Sequence, residues 1–157
     1  CIASQDYADA KLRVAGGAHL IADVTEVAVN CFADPGPVGR GRYRAAQITA
    51  CSASELMLLL REASRQQAGT VVLVTHPFEF IKRGDFRYRG MRPNLMVQKR
   101  LATLCSYLDA HRDTFEVCTF ADLARQLPLA EEPAPALKST TTRSLSRAAQ
   151  NFVNDRL

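Results

Sequence analysis

The chain has 157 residues, 47% of them hydrophobic and 23% charged, a composition that excludes a disordered or fibrous polymer and suits one globular domain burying roughly two-thirds of its unfolded surface. Twenty Lys and Arg against 16 Asp and Glu give a formal charge of +4, a weak preference for anionic partners that does not demand nucleic acid. No apolar run reaches the roughly 18 residues of a membrane span and the start carries no basic, apolar leader, so a soluble chain without a membrane span is expected.

In chain order, residues 1–26 are weakly patterned, and 27–32 (VAVNCF) alternates well enough for a short strand. Residues 34–44, DPGPVGRGRYR, form a proline- and glycine-rich connection; it lacks the Gly-Lys-Ser/Thr ending of a phosphate-binding loop. Ser52 stands three residues before Glu55, the spacing of a capping box. Leu56, Leu59, Leu60 and Ala63 then mark one face of a helix ending near Gly69. Residues 70–75 (TVVLVT) read as a buried strand. Val97, Leu101, Leu104, Cys105 and Leu108 recur at helical spacing, a short strand is expected at 115–119, and an amphipathic segment at 121–127.

The alternation of strand and helix predicts an α/β fold with right-handed crossovers and a parallel sheet, open or part of a barrel. With three convincing strands, the chain falls short of a complete eight-unit barrel. Residues 129–142 have the alanine, proline and threonine content of a linker, and 143–157 can coil into a basic amphipathic helix through Leu145, Ala149, Phe152 and Val153. The expected division is therefore a partial β/α domain over 1–128, followed by a linker and basic helix or tail over 129–157.

Five cysteines (Cys1, Cys31, Cys51, Cys105 and Cys118) form no CxxC pair. Reduced thiols and a cytoplasmic location are the expectation. A chain beginning at Cys1 is expected to be a fragment or processed product; a lipid-anchored or nucleophilic amino-terminal Cys lacks a supporting motif.

The residue best placed for chemistry is His76. It follows the apolar run at what should be the strand's carboxyl end, where α/β proteins gather their reactive groups, and Pro77 behind it favours extended geometry. Imidazole titrates near neutrality and can protonate a departing amine; the plainer role is a hydrogen bond to backbone at a strand end. Glu79 lies close enough to orient His76, although a solvated or capping carboxylate suits it better. His19 and His111 have no partner at metal-ligand spacing, and no metal ligands are identified in this chain. Residues 81–92, IKRGDFRYRGMR, interleave Lys82, Arg83, Arg87, Arg89 and Arg92 with Phe86 and Tyr88. Such a loop can grip an anionic substrate, with Arg83, Arg87 and Arg89 as candidate substrate-binding residues, or lie solvated at the surface. Nucleic acid is not expected as a partner, for want of a recognition helix or sheet aromatics.

The stretches EVAVNCF (26–32), QITACSASELMLLL (47–60), VVLVTHPFEF (71–80) and 94–127, including RLATLCSYLDAHRDTFEVCTFADLARQL, together resemble the polysaccharide deacetylases, in particular the WalW-type branch associated with lipopolysaccharide biosynthesis. The resemblance spans about 100 residues in the family's order, yet only the histidine turn is a catalytic motif. It implies the carboxyl-terminal part of a distorted, here incomplete, β/α barrel acting on a surface glycan or its precursor. In such enzymes a divalent metal, usually zinc, held by an Asp and two His activates water to remove N-acetyl groups. His76 matches the histidine that protonates the leaving amine. The family's aspartate pair, metal histidines and arginine motif are not seen in this sequence, so the fragment is expected to be inactive alone. The alternative is a non-catalytic module holding anionic glycan or phosphate through loop 81–92. Oligomeric state and the identity of the sugar do not follow from the sequence.

Overall fold

The structure, a computed structural model, describes residues 17–36, 42–85, 87, 89–124 and 137–156. It contains both helices and strands. A hairpin opens it: β1 (Gly17–Ile21) pairs antiparallel with β2 (Val24–Ala28). The expected strand over 27–32 is divided: β2 ends at Ala28 and β3 (Cys31–Asp34) begins after two intervening residues. Asn30 sits in the break and ties the surrounding segments together. Its N–H donates to Val72 O (3.3 Å), its carbonyl accepts from Ala46 N–H (2.8 Å), and its side-chain oxygen accepts from Val72 N–H (2.7 Å).

β3 is the centre of a three-stranded sheet, with β4 (Arg42–Ala45) antiparallel on one side and β7 (Leu137–Lys138) parallel on the other. Residues 46–48 carry the chain from β4 alongside 72–74, where a single parallel bridge joins Gln47 to Val74. β5 (Ile81–Lys82) and β6 (Arg92–Pro93) make a small hairpin. Parallel pairing is thus confined to two places among the described residues, whereas the sequence led us to expect a parallel sheet. No β/α barrel closure is seen among them.

The first helix, α1 (Ala53–Arg65), forms as its sequence dictates. Ser52 Oγ accepts from Glu55 N–H (3.2 Å) while Glu55 Oε2 accepts from Ser52 N–H (3.1 Å), so the box satisfies two amides that the first turn leaves open. Leu56, Leu59, Leu60 and Ala63 are all buried, against Phe32, Ile48, Leu137 and the second helix, α2 (Leu95–Asp109). On α2 the buried stripe is Val97, Arg100 and Leu104, with Leu101 and Leu108 half-buried and Cys105 exposed. The described cysteines Cys31, Cys51, Cys105 and Cys118 are free thiols, and Cys1 lies outside the described residues.

Two expectations fail at the carboxyl end. Residues 115–119 form no strand: Val117 is exposed, and Thr119 instead caps the short helix α3 (Phe120–Leu123), its Oγ1 accepting from Asp122 N–H (3.3 Å). The rest of the expected helix over 121–127, from 125 onward, lies outside the described residues. The last helix, α4 (Thr141–Arg156), exists, but inverted relative to its apolar stripe. Leu145, Phe152 and Val153 face solvent while Ser144 and Arg147 are buried. The cause is a buried charge network. Arg147 bridges Asp34 (2.6 Å) and Glu55 (2.5 Å), Arg44 also pairs with Asp34 (2.6 Å), Ser144 Oγ donates to Asp34 (2.5 Å), and Ser139 Oγ donates to Glu55 (2.8 Å). Two carboxylates inside the core demand cations, and α4 can supply one only by turning its polar face inward. Among the described residues no helix is long and apolar enough to cross a membrane.

Candidate functional site

The strand expected at 70–75 does not form as such: the segment carries one isolated bridge, Val74 to Gln47, and backbone bonds of Val72 and Val74 hold its inner edge to Asn30, Ala46 and Ile48. Its side chains at 71–74 are half-buried, short of the fully buried strand expected. The segment delivers His76 to an exposed position with φ −120° and ψ 143°, the extended geometry that a following proline favours. Pro77–Phe80 then form one 3₁₀ turn, in which the His76 ring lies parallel to Phe78 (centroids 5.1 Å apart, 6° between planes).

Glu79 fixes this turn. One carboxylate oxygen accepts from Gln47 Nε2 (2.5 Å) and Thr49 Oγ1 (3.0 Å), the other from Thr75 Oγ1 (3.1 Å) and the His76 backbone N–H (3.1 Å). Burial pushes the Glu79 carboxyl up, but the bonds from His76 N–H, Thr49, Thr75 and Gln47 outweigh it and hold the group below the ordinary carboxylate range. Glu79 therefore acts as a capping carboxylate on the turn. On the far side, Phe80 O accepts from Asn94 N–H (2.9 Å) and Gln98 Nε2 (3.0 Å), and Glu79 O from Asn94 Nδ2 (3.0 Å).

The 47–49 turn is itself braced from below. Arg100, 4% exposed, donates Nη1 to Thr49 O (3.0 Å) and Ile48 O (3.4 Å), and Nη2 to Asn151 Oδ1 (2.7 Å) and Gln150 Oε1 (3.2 Å) of α4. Burial lowers the Arg100 pKa, opposed by the nearby Cys51 and Glu55. Gln47, Thr49 and Arg100 were not singled out in the sequence. The His-Pro-x-Glu spacing, that of a capping box, is the local signal that could have found the bond from the His76 N–H to Glu79.

The basic stretch begins where the 3₁₀ turn ends. Lys82 lies in β5 and donates Nζ to Asn154 O of α4, and Arg83 is the next residue. Asp85 Oδ1 accepts from the N–H groups of Arg87 and Arg89 (both 2.9 Å), curling the loop so that both arginine side chains are exposed. Gly84 permits the curl, because a Cβ there would sit 3.0 Å from Arg89 O. Phe86 and Tyr88 lie outside the described residues. The chain thus runs from the exposed His76 through the 3₁₀ turn and β5 into the basic loop, where Arg87 and Arg89 are exposed as well.

The other histidines are engaged elsewhere. His111 Nδ1 is 2.7 Å from Tyr107 O and its ring packs on Tyr107, while His19 faces Glu26 across the β1–β2 hairpin. No three His, Cys, Asp or Glu side chains converge on a possible metal position among the described residues, so these residues do not fit the zinc implied by the resemblance. Comparison with protein families, curated proteins and solved structures finds no match to this chain.

Proposed function

We propose that this chain is the carboxyl-terminal part of a cytoplasmic, metal-dependent polysaccharide deacetylase of the distorted β/α-barrel type, removing N-acetyl groups from a surface glycan or its precursor. The observation that carries the reading is the exposed His76 imidazole, set just after segment 70–75 on a turn that Glu79 ties to the side chains of Gln47, Thr49 and Thr75 and to the His76 N–H. A side chain on a braced turn, open to solvent on one face, can give a proton to a departing amine without first reorganising. Zinc, held by residues other than the described ones, would supply the nucleophilic water and polarise the amide carbonyl. Arg83, Arg87 and Arg89 would hold the glycan where it carries negative charge.

The test is acetate release from an N-acetylated oligosaccharide by the protein whose reading frame contains this chain, wild type against His76→Ala. The reading requires a fall of about 10²-fold or more, the usual range for a lost general acid; unchanged turnover would refute it. A second reading, a non-catalytic module for anionic glycan or phosphate, is favoured by the exposure of Arg87 and Arg89 on a loop whose one acidic residue, Asp85, is occupied by backbone amides. It requires binding that weakens with salt, falls in Arg87→Ala/Arg89→Ala and survives His76→Ala.

A further inference from the structure

Among the described residues the outer edge of segment 70–74 is open. Val72 and Val74 turn their N–H and C=O groups toward Asn30, Ala46 and Ile48, so by strand alternation those of Val71 and Leu73 point the other way. Neither residue has a backbone partner among the described residues. They face a cleft of about 670 Å³ bounded by the end of α1, the end of α2 and residues 114–123. Its floor is apolar, including Leu60, Ala63, Leu108 and Phe115, and among the described residues its only charged lining residues are Glu116 and Asp122.

We propose that this cleft binds an extended peptide of alternating apolar side chains with a basic residue at its end, added as a strand to the edge at Val71 and Leu73. Three properties of the cleft select this occupant. Edge amides and carbonyls at every second residue are the recognition pattern of strand addition. A four-residue strand occupies a slab about 13 Å long, about 4.8 Å wide and about 10 Å deep, or about 600 Å³, which the cleft accommodates. The charged lining among the described residues, Glu116 and Asp122, is negative and so complements a cation. The neighbouring segment 115–119 is not free to fill the space: Phe115 N–H is bonded to His111 O (2.9 Å), and Thr119 is held to Asp122 as the α3 cap, its Oγ1 donating to that carboxylate (2.6 Å).

The probe is a fluorescein-labelled, blocked heptapeptide of alternating valine and threonine with a lysine at each end, titrated into the full chain by anisotropy and followed by amide NMR. Saturable binding should shift the amides of Val71 and Leu73, and N-methylation of alternate peptide amides should weaken it at least tenfold. Glu116→Lys, at an exposed position, should weaken the lysine-ended probe several-fold and favour a glutamate-ended one. Equal binding of the N-methylated peptide, or shifts confined to another face, would overturn the proposal. So would protection of the Val71 and Leu73 amides from exchange before peptide is added, since residues 115–119 would then already occupy the edge.

Discussion

Replacing Arg147 with methionine keeps an unbranched apolar stem while removing the cation shared by two buried carboxylates. Arg147 is 3% exposed, Asp34 1% and Glu55 0%, so solvent cannot take over the charge. The loss falls unequally. Asp34 keeps Arg44 at 2.6 Å, Ser144 at 2.5 Å and the Gly36 N–H at 3.0 Å. Glu55 keeps only uncharged donors, Ser139 Oγ at 2.8 Å and Ser52 at the α1 cap. Breaking a buried ion pair by removing one partner costs about 3–5 kcal/mol, most of it here at Glu55. The upper limit is the free energy of docking α4, because undocking lets water reach both carboxylates. Urea unfolding should therefore show a midpoint lowered by that amount, or amide exchange should show α4 opening while α1 stays protected. Adding Glu55→Gln to Arg147→Met should restore more than half of the loss, since the glutamine needs no cation and can still cap α1. A cost under about 1 kcal/mol, with the α4 amides still protected, would refute the view that this network docks the helix.

The same network sets an acid limit. Burial pushes the Asp34 carboxyl up, but hydrogen bonds from Ser144, Gly36 and Arg44 and the charge of Arg147 prevail and lower it from 3.8 to about 2. A depressed carboxylate stabilises fully above its unfolded pKa and loses that contribution as pH falls through the folded one, so about 2 kcal/mol should disappear between about pH 4 and 2. Urea midpoints across that range should fall less steeply in Asp34→Asn; parallel slopes would contradict this. Burial, foremost, pushes the Cys51 thiol up to about 12, so iodoacetamide at neutral pH should modify exposed Cys105 and Cys118 and spare Cys51 until unfolding, as read by mass spectrometry. Glu79→Gln, removing a charged acceptor from four bonds, should cost about 1 kcal/mol and speed exchange of the His76 amide; unchanged exchange there would sink the bracing role of Glu79.

What could be read from the sequence was local. The Ser52–Glu55 box and the leucine stripe behind it define α1 because cap and apolar face lie within one element. The extended geometry of His76 follows from Pro77 alone. What could not be read depends on partners distant in the chain. Glu55 displays its capping role but not that its second oxygen meets Arg147, 92 residues away. That pairing also decides which face α4 buries, against its own apolar stripe. Residues 115–119 have strand-like alternation, but Thr119 is drawn into a cap and no ladder forms. At the candidate site, Gln47 and Thr49 carry no sequence signal because they matter only where 46–48 runs beside 72–74.

The role assigned to His76 is tested most directly by comparing two substrates in the protein whose reading frame contains this chain: an N-acetylated amino sugar, whose leaving amine needs a proton, and an activated aryl acetate, whose leaving group does not. If His76 is the proton donor, His76→Ala lowers kcat on the amide by about 10²- to 10⁴-fold and changes aryl acetate turnover by less than about threefold. Equal losses on both substrates, or no loss on either, would contradict it.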